Sequence, residues 1–271
     1  MTFVSEKRIK NTKLKGIAIA KTYYVIPLCC PWCKRLKVVA LWSGGKESCL
    51  ACQKAMAGGF DVDFIVTFLW ETPFVCHPLS LMPLQSKALG IPQVKAKVKE
   101  PYFEEYREAI SRFIKEDGIK GIVTGDISFI DNFHGNWIDD VCKGLDVEVI
   151  KPLWSLDRCQ ILKELVSKGF KAVFTCVRKR WFDEKWLGRE LDRACIKELK
   201  ELNDKQGIDL CGERGEYHTM IVDAPIFKEV IQISKFSKEK KGGLFFIKPT
   251  QFFLGPKQGR AHNRVTVSLD R

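Results

Sequence analysis

Three short runs hold residue types that do chemistry together. The first is Ser43-Gly44-Gly45-Lys46-Glu47-Ser48, set between an apolar run that ends at Trp42 and a helical pattern over 48–57. At a strand–turn–helix junction of this kind, backbone N–H groups converge and the helix dipole adds positive potential, so phosphate is the expected guest. Gly44 and Gly45 permit close backbone approach, Lys46 brings charge, and Ser43 and Ser48 bring hydroxyl donors. The run is tighter than the common P-loop, which places a glycine five residues before Gly-Lys-Ser/Thr. The second run is Thr124-Gly125-Asp126, at the end of another apolar strand pattern. Asp126 can hold Mg²⁺ on phosphates, orient an attacking group, or simply cap a turn. The third is Cys211-Gly-Glu-Arg-Gly-Glu-Tyr-His-Thr219, which gathers Glu213, Glu216, His218 and Thr219 just ahead of an apolar run. Such density of polar function beside adaptable glycines reads as a site.

These runs need elements to position them. Strand patterns at 38–41, 64–70, 93–98, 119–124 and 147–150 alternate with helical patterns at 48–57, 79–89, 101–114 and 137–143. Strand–helix alternation predicts a parallel α/β sheet covered on both faces, with ligands at the C-terminal ends of its strands. Both Ser43 and Asp126 fall there. Beyond Pro152–Ser155 the pattern changes. Asp157 is placed to cap a helix to Lys168, a strand follows at 171–177, a helix is predicted over 186–202, and 207–227 reads as loop and then strand. The expected organisation is a basic, Cys-bearing tail (1–36), a nucleotide-binding domain (37–153), a smaller α+β domain (154–234) and a basic extension (235–271). Within that extension, 244–247 and 252–254 suggest a terminal hairpin.

The chain has 271 residues and a formal net charge of +12. Residues 1–37 carry nine Lys/Arg against one acid, and residues 235–271 nine against two, which leaves the body mildly acidic. The charge therefore marks solvated ends more than a nucleic-acid face, although binding of nucleic acid through the tails stays open. No apolar stretch reaches membrane-spanning length, so no membrane partner and a cytoplasmic setting are expected. The eleven cysteines are spread through apolar patterns, which fits a reducing compartment. Cys29, Cys30 and Cys33 have half a zinc-knuckle spacing with no fourth ligand nearby, so zinc is not expected.

The motifs occur in the order Ser43–Ser48, His77-Pro-Leu with Gln85 and Ala88-Leu-Gly-Ile-Pro92, Thr124-Gly-Asp-Ile127, Pro152-Leu-Trp154, Trp186-Leu-Gly-Arg189 and Cys211–Thr219. In this the chain resembles the diphthine–ammonia ligase family, whose phosphate turn is similar to that of the ATP pyrophosphatases. The resemblance covers roughly residues 37–233. It implies a nucleotide-binding domain of that type and ATP-dependent amidation of the diphthine carboxylate on elongation factor two, with ammonia as nitrogen source and AMP and pyrophosphate released. It implies that Ser43, Gly44, Gly45, Lys46, Glu47 and Ser48 hold the β and γ phosphates with Mg²⁺ near Asp126. Thr67, with Trp70, is placed at the adenine, and His77 and Thr219 at the acceptor. Glu213 or Glu216 would hold ammonium and act as base, with His218 and Thr219 positioning the acyl group. Two places depart from the family pattern: Glu47, where Asp is usual, and Ser128–Trp137. An ATP-dependent tRNA-modifying enzyme, an amide ligase with a different acceptor and an ATP-binding sensor without turnover remain alternative readings.

Overall fold

The computed structural model describes residues 35–71, 75–129 and 137–257. Five strands, β1 (Lys37–Leu41), β2 (Asp61–Trp70), β3 (Gln93–Val98), β4 (Gly121–Val123) and β5 (Glu148–Ile150), form one parallel sheet in the order β3-β2-β1-β4-β5. Helices α1 (Lys46–Ala57), α2 (Met82–Leu89), α3 (Tyr102–Asp117) and α4 (Trp137–Cys142) connect them. The chain leaves β1 towards β2 on one side and later reaches β4 on the other, so the crevice between the C-terminal ends of β1 and β4 is the topological switch point. Ser43 and Asp126 follow those two ends.

Alternation along β1 sorts its side chains between the faces. Val39 joins Phe64, Ile110, Phe113 and Ile122 under α3 and α4. Val38 and Ala40 join a larger core that runs through Leu50 and Ile65 into Leu162, Phe174 and Phe227 of the second half. The two lobes thus share one continuous apolar interior.

In the second lobe, α5 (Arg158–Ser167) begins at Asp157, whose carboxylate accepts from Gln160 N at 2.9 Å, as the sequence predicts. The antiparallel sheet has the order β7-β6-β9-β8, with β6 (Lys171–Arg178), β7 (Tyr217–Asp223), β8 (Glu229–Lys241) and β9 (Leu244–Pro256). Two elements differ from expectation. The helix expected over 186–202 is a 3-10 turn (Glu184–Trp186), an irregular stretch, and then α6 (Arg193–Gln206), restarted by Asp192 capping Cys195 N at 2.7 Å. Trp186, Leu187 and Leu191 are buried from the irregular stretch, not from a helix face. The hairpin is also longer than expected. Positions 244–247 and 252–254 lie on the same strand, β9, which pairs with β8 and β6; the turn is Gly242-Gly243 at φ 57° and 77°. Strand β8 continues through position 235, with shifts of register on either side of Lys235, where the sequence suggested that a separate extension begins.

Among the described residues no helix is long and apolar enough to cross a membrane. The cysteines at 29, 30 and 33, most of the basic N-terminal tail and residues 258–271 lie outside the described residues, as does 130–136 within the departing Ser128–Trp137 stretch.

Candidate active site

Helix α1 starts at Gly45 with no side-chain cap, so its first amides are not committed to a capping residue. Gly44 stands at φ 76°, and a Cβ there would lie 2.6 Å from Gln85 Oε1 and 2.7 Å from Met220 Cε. Only glycine fits. The Ser43 hydroxyl donates to Ser48 Oγ at 3.2 Å and accepts from Gly45 N at 3.3 Å, while Ser48 Oγ donates to Gly45 O at 3.1 Å. From the other side of the crevice Gly125 closes on the turn, since a Cβ on it would meet Glu47 C at 2.8 Å. Asp126, the next residue, is half-buried.

The second lobe seals the back of the turn. Ile221 N donates to Gly44 O at 2.9 Å. Gln85, fully buried, donates to Gly44 O at 2.9 Å and Ile221 O at 2.8 Å, and accepts from Trp42 Nε1 at 2.9 Å. Lys46 is buried as well. Its ammonium donates to Cys211 O at 2.7 Å, lies 2.7 Å from Glu47 Oε1, and sits 4.6 Å over the Tyr217 ring. Burial pulls the Lys46 ammonium down, but Glu47 and the other anionic groups around it hold it above its ordinary value. At this distance Lys46 and Glu47 form a close ion pair.

The acidic turn is built from carboxylates. Asp209 Oδ1 accepts from Cys211 N at 2.8 Å and Glu213 N at 3.4 Å; Glu216 accepts from Asp209 N at 2.7 Å and Arg214 N at 3.0 Å. Both oxygens of Glu216 are thereby engaged in shaping the backbone. Arg158 locks the turn from α5, with Nε 2.6 Å from Asp209 Oδ2 and Nη2 2.8 Å from Ser128 Oγ. Glu213 is left at the accessible side. The protein mass around it, then the charges of Glu47, Asp209 and Asp126, push its carboxyl up to about 8 against the pull of Lys46. Water on its open side screens part of that push.

On the far flank of the turn, His77 Nε2 lies 3.2 Å from His218 Nδ1, and His77 Nδ1 lies 3.4 Å from Met220 Sδ. Burial, and then the charges of His218 and Lys46, hold His77 well below its ordinary value, so it is neutral near pH 7. Thr219 O lies 3.3 Å from where a Gly45 Cβ would stand, and the Thr219 hydroxyl is buried without a hydrogen-bond partner among the described residues. A cavity of about 850 Å³ opens beside Ser43, lined by Trp42, Thr67, Trp70, Lys97 and Tyr106. Thr67 Oγ1 donates to Trp42 O at 2.8 Å and accepts from Gln93 Nε2 at 2.8 Å.

The fold therefore brings Ser43–Ser48, Thr67, His77, Asp126, Glu213, His218 and Thr219 around one crevice, and sets Glu216 behind it. Gln85 carries three of the contacts around the turn; the sequence marks it as a motif residue but gives it no such bracing role. Arg158 and Asp209 pair across 51 positions, with no local pattern to announce them. Among the described residues no group of three or more His, Cys, Asp or Glu side chains could hold a metal ion.

A doubly wound parallel sheet with an uncapped glycine turn at its switch point defines an α/β domain of the kind that takes a ligand at that point, here completed by a second lobe that closes the turn from behind. Residues 36–149 match the model of the diphthamide synthase N-terminal domain and residues 157–251 that of its C-terminal domain. The chain belongs to the diphthamide synthase family. It is 27% identical over 222 residues to the diphthine–ammonia ligase of Homo sapiens, covering 72% of this chain and 82% of that protein. The diphthine–ammonia ligase of Danio rerio is 26% identical, covering 73% and 86%. The fission-yeast protein of the same name, from Schizosaccharomyces pombe, is also 26% identical, but the match spans 36% of its length. A solved structure titled as a predicted subunit of tRNA methyltransferase from Methanocaldococcus jannaschii aligns over 70% of this chain at 16% identity and a TM-score of 0.38, a likeness on which nothing below rests.

Proposed function

We propose that this protein is a ligase that forms a carbon–nitrogen bond in diphthamide synthesis, activating the diphthine carboxylate of elongation factor two with ATP and amidating it with ammonia. The observation that carries this reading is the meeting of the phosphate turn with the acidic motif: Lys46 of one reaches Cys211 O of the other at 2.7 Å. Activation and amidation are consecutive steps on one carbonyl carbon, and they need an anion site and a cation site within reach of each other.

A carboxylate is a poor acyl donor. Its attack on the α phosphorus gives an acyl adenylate, and pyrophosphate departs. The free amides of α1, the Ser43 and Ser48 hydroxyls and Lys46 would hold that leaving group as its charge grows. The cavity beside Thr67 has room for the adenosine. Mg²⁺, held by Asp126 together with phosphate oxygens, would neutralise phosphate charge; one carboxylate with substrate oxygens and water is an ordinary Mg²⁺ site. Ammonium must then lose a proton. Glu213, raised towards neutrality, is suited to take it. Glu216 acts through the backbone as a positioning residue. Neutral His77, with His218 and Thr219, borders the turn on the side left for the acceptor. Such an acceptor implies a cytoplasmic setting.

The test is to supply ATP, ammonium and diphthine-bearing elongation factor two, and to measure AMP together with the mass change from acid to amide on the acceptor. AMP formation that requires all three supports the reading. AMP formation with another acceptor alone removes diphthine from it, and no AMP with any acceptor removes the ligase.

A further inference from the structure

Outside the crevice, one pair of thiols stands apart from the other cysteines. Cys76 immediately precedes His77, and Cys176 lies on β6 opposite His218 of β7. Their sulfurs are 3.1 Å apart, Cys176 donating to Cys76, although 100 residues separate them in sequence. The approach is built by the fold. Thr175 Oγ1 donates to Cys76 O at 2.8 Å and ties the backbone of Cys76 to β6. Phe246, Val75 and Leu244 close an apolar wall around the two sulfurs. The remaining described cysteines lack such a partner arrangement: Cys49 and Cys52 are buried thiols pushed above their ordinary value by burial, and so is Cys211.

The electrostatic setting separates the roles of the pair. The Cys176 S–H, then His218 and Arg178, pull the Cys76 thiol below its ordinary value against burial, while Cys176 is pushed up by the same contact. Cys76, which accepts the Cys176 S–H and is the less buried of the two, is placed as the nucleophile, and Cys176 as the thiol of the second step. Half-exposed His218 borders the pair.

We propose that Cys76 and Cys176 form a reversible disulfide with a hydroperoxide as oxidant, and that this bond controls the acceptor side of the crevice. The Cys76 thiolate attacks the peroxide O–O bond and becomes a sulfenic acid, and the other peroxide oxygen leaves as water once protonated. Cys176 then attacks the Cys76 sulfur; the S–O bond breaks, the S–S bond forms and a second water leaves. In sum, two thiols and one hydrogen peroxide give one disulfide and two waters. The sulfurs need to close by only about 1 Å to reach bonding distance. Oxidation removes the thiolate beside His218 and clamps the residue before His77 to β6. An added dithiol reverses it.

The experiment treats the full chain with hydrogen peroxide, alkylates the remaining thiols and maps peptides by mass. The expected result is a Cys76–Cys176 linked peptide lighter by two hydrogens, which dithiothreitol dissolves. Cys176→Ser should lose that linkage and leave Cys76 oxidised beyond recovery by dithiothreitol, because no resolving thiol is present. Cys76→Ser should leave Cys176 fully open to alkylation under denaturing conditions after peroxide. Unlinked Cys76 and Cys176 in peroxide-treated wild type, or linkage of Cys76 to a different cysteine, overturns the proposal. The consequence for the crevice rests on the ligase reading and is measured separately: AMP formation is lost on oxidation and regained with dithiothreitol. Undiminished AMP formation by the linked enzyme overturns the control while leaving the ligase intact.

Discussion

The turn at Ser43–Ser48 is shaped by side chains that are missing, and the turn at 209–216 by side chains that grip. Gly44 takes a left-handed conformation and sits where a Cβ would strike Gln85 and Met220, so the turn packs backbone-close against the second lobe. Its helix start has no side-chain cap. In the acidic turn, Asp209 and Glu216 take up the amides of Asp209, Cys211, Glu213 and Arg214. One turn therefore offers N–H groups to a ligand, and in the other these amides are taken up by internal carboxylates, so that its outward carboxyl is Glu213. The first suits an anion and the second a cation. Two neighbouring loops acquire opposite tastes from where their hydrogen bonds go.

Four substitutions break or sharpen this contrast. The largest effect is expected for Glu213→Gln, which keeps the acidic turn and removes its outward carboxyl. Amidation should fall by about 100-fold or more with ATP affinity by calorimetry unchanged. The wild-type rate should climb as pH rises through about 8, where Glu213 ionises. The variant should keep only the rise that comes from free ammonia. Stability has the opposite sign. A carboxyl raised in the folded state destabilises it progressively as pH climbs from the unfolded value through about 8. Glu213→Gln should therefore melt higher than wild type at alkaline pH, with the gap closing towards about pH 4. An equal melting temperature across that range would show that water screens the site fully.

Next comes Gly44→Ala, which gives the phosphate turn a side chain it cannot hold. AMP formation should drop by about 100-fold, the scale of a one-ångström misplacement, and ATP binding should weaken with it. Gln85→Leu attacks the same turn from behind. It leaves Gly44 O, Ile221 O and Trp42 Nε1 without their partner and should cost about 3 kcal/mol in denaturant unfolding; wild-type stability would show that the turn needs no such brace. Asp157→Ala is the smallest and is the control for both turns: about 1 kcal/mol of stability from the lost cap, with an unaltered AMP-forming rate.

The same contrast explains what was legible in the sequence. The phosphate turn is local, so its residues, its strand and its helix can be read from six adjacent letters. The Asp157 cap and the five parallel strands are legible for the same reason. The acidic motif is visible as a cluster, but the division of labour inside it is not: Glu213 and Glu216 look alike in sequence, and only the fold turns one outward and sets the other against backbone amides. Gln85 and Arg158 act across long sequence separations: the first is visible as a motif residue without its bracing role, and the second leaves no local trace. The helix expected over 186–202 fails because Trp186, Leu187 and Leu191 reach the core from an irregular path. Gly188, at φ 82° with the Phe236 ring against it, interrupts the helical run that their spacing suggests. In the terminal hairpin the Gly242-Gly243 turn, with both residues at positive φ, is a good hairpin signal. It is hidden among lysines that read as a tail.

Lys46 carries a consequence of its own. Its ammonium already rests against a carbonyl oxygen of the other lobe, beneath an aromatic ring, with a carboxylate alongside. On the ligase reading, a phosphate that draws this ammonium off Cys211 O would exchange one oxygen ligand for another, where a bare cation would simply capture an anion. The net affinity gained is then a difference between two similar bonds, and the displaced carbonyl belongs to the loop that carries Glu213. Filling the first subsite would thus announce itself at the second through a single exchanged hydrogen bond.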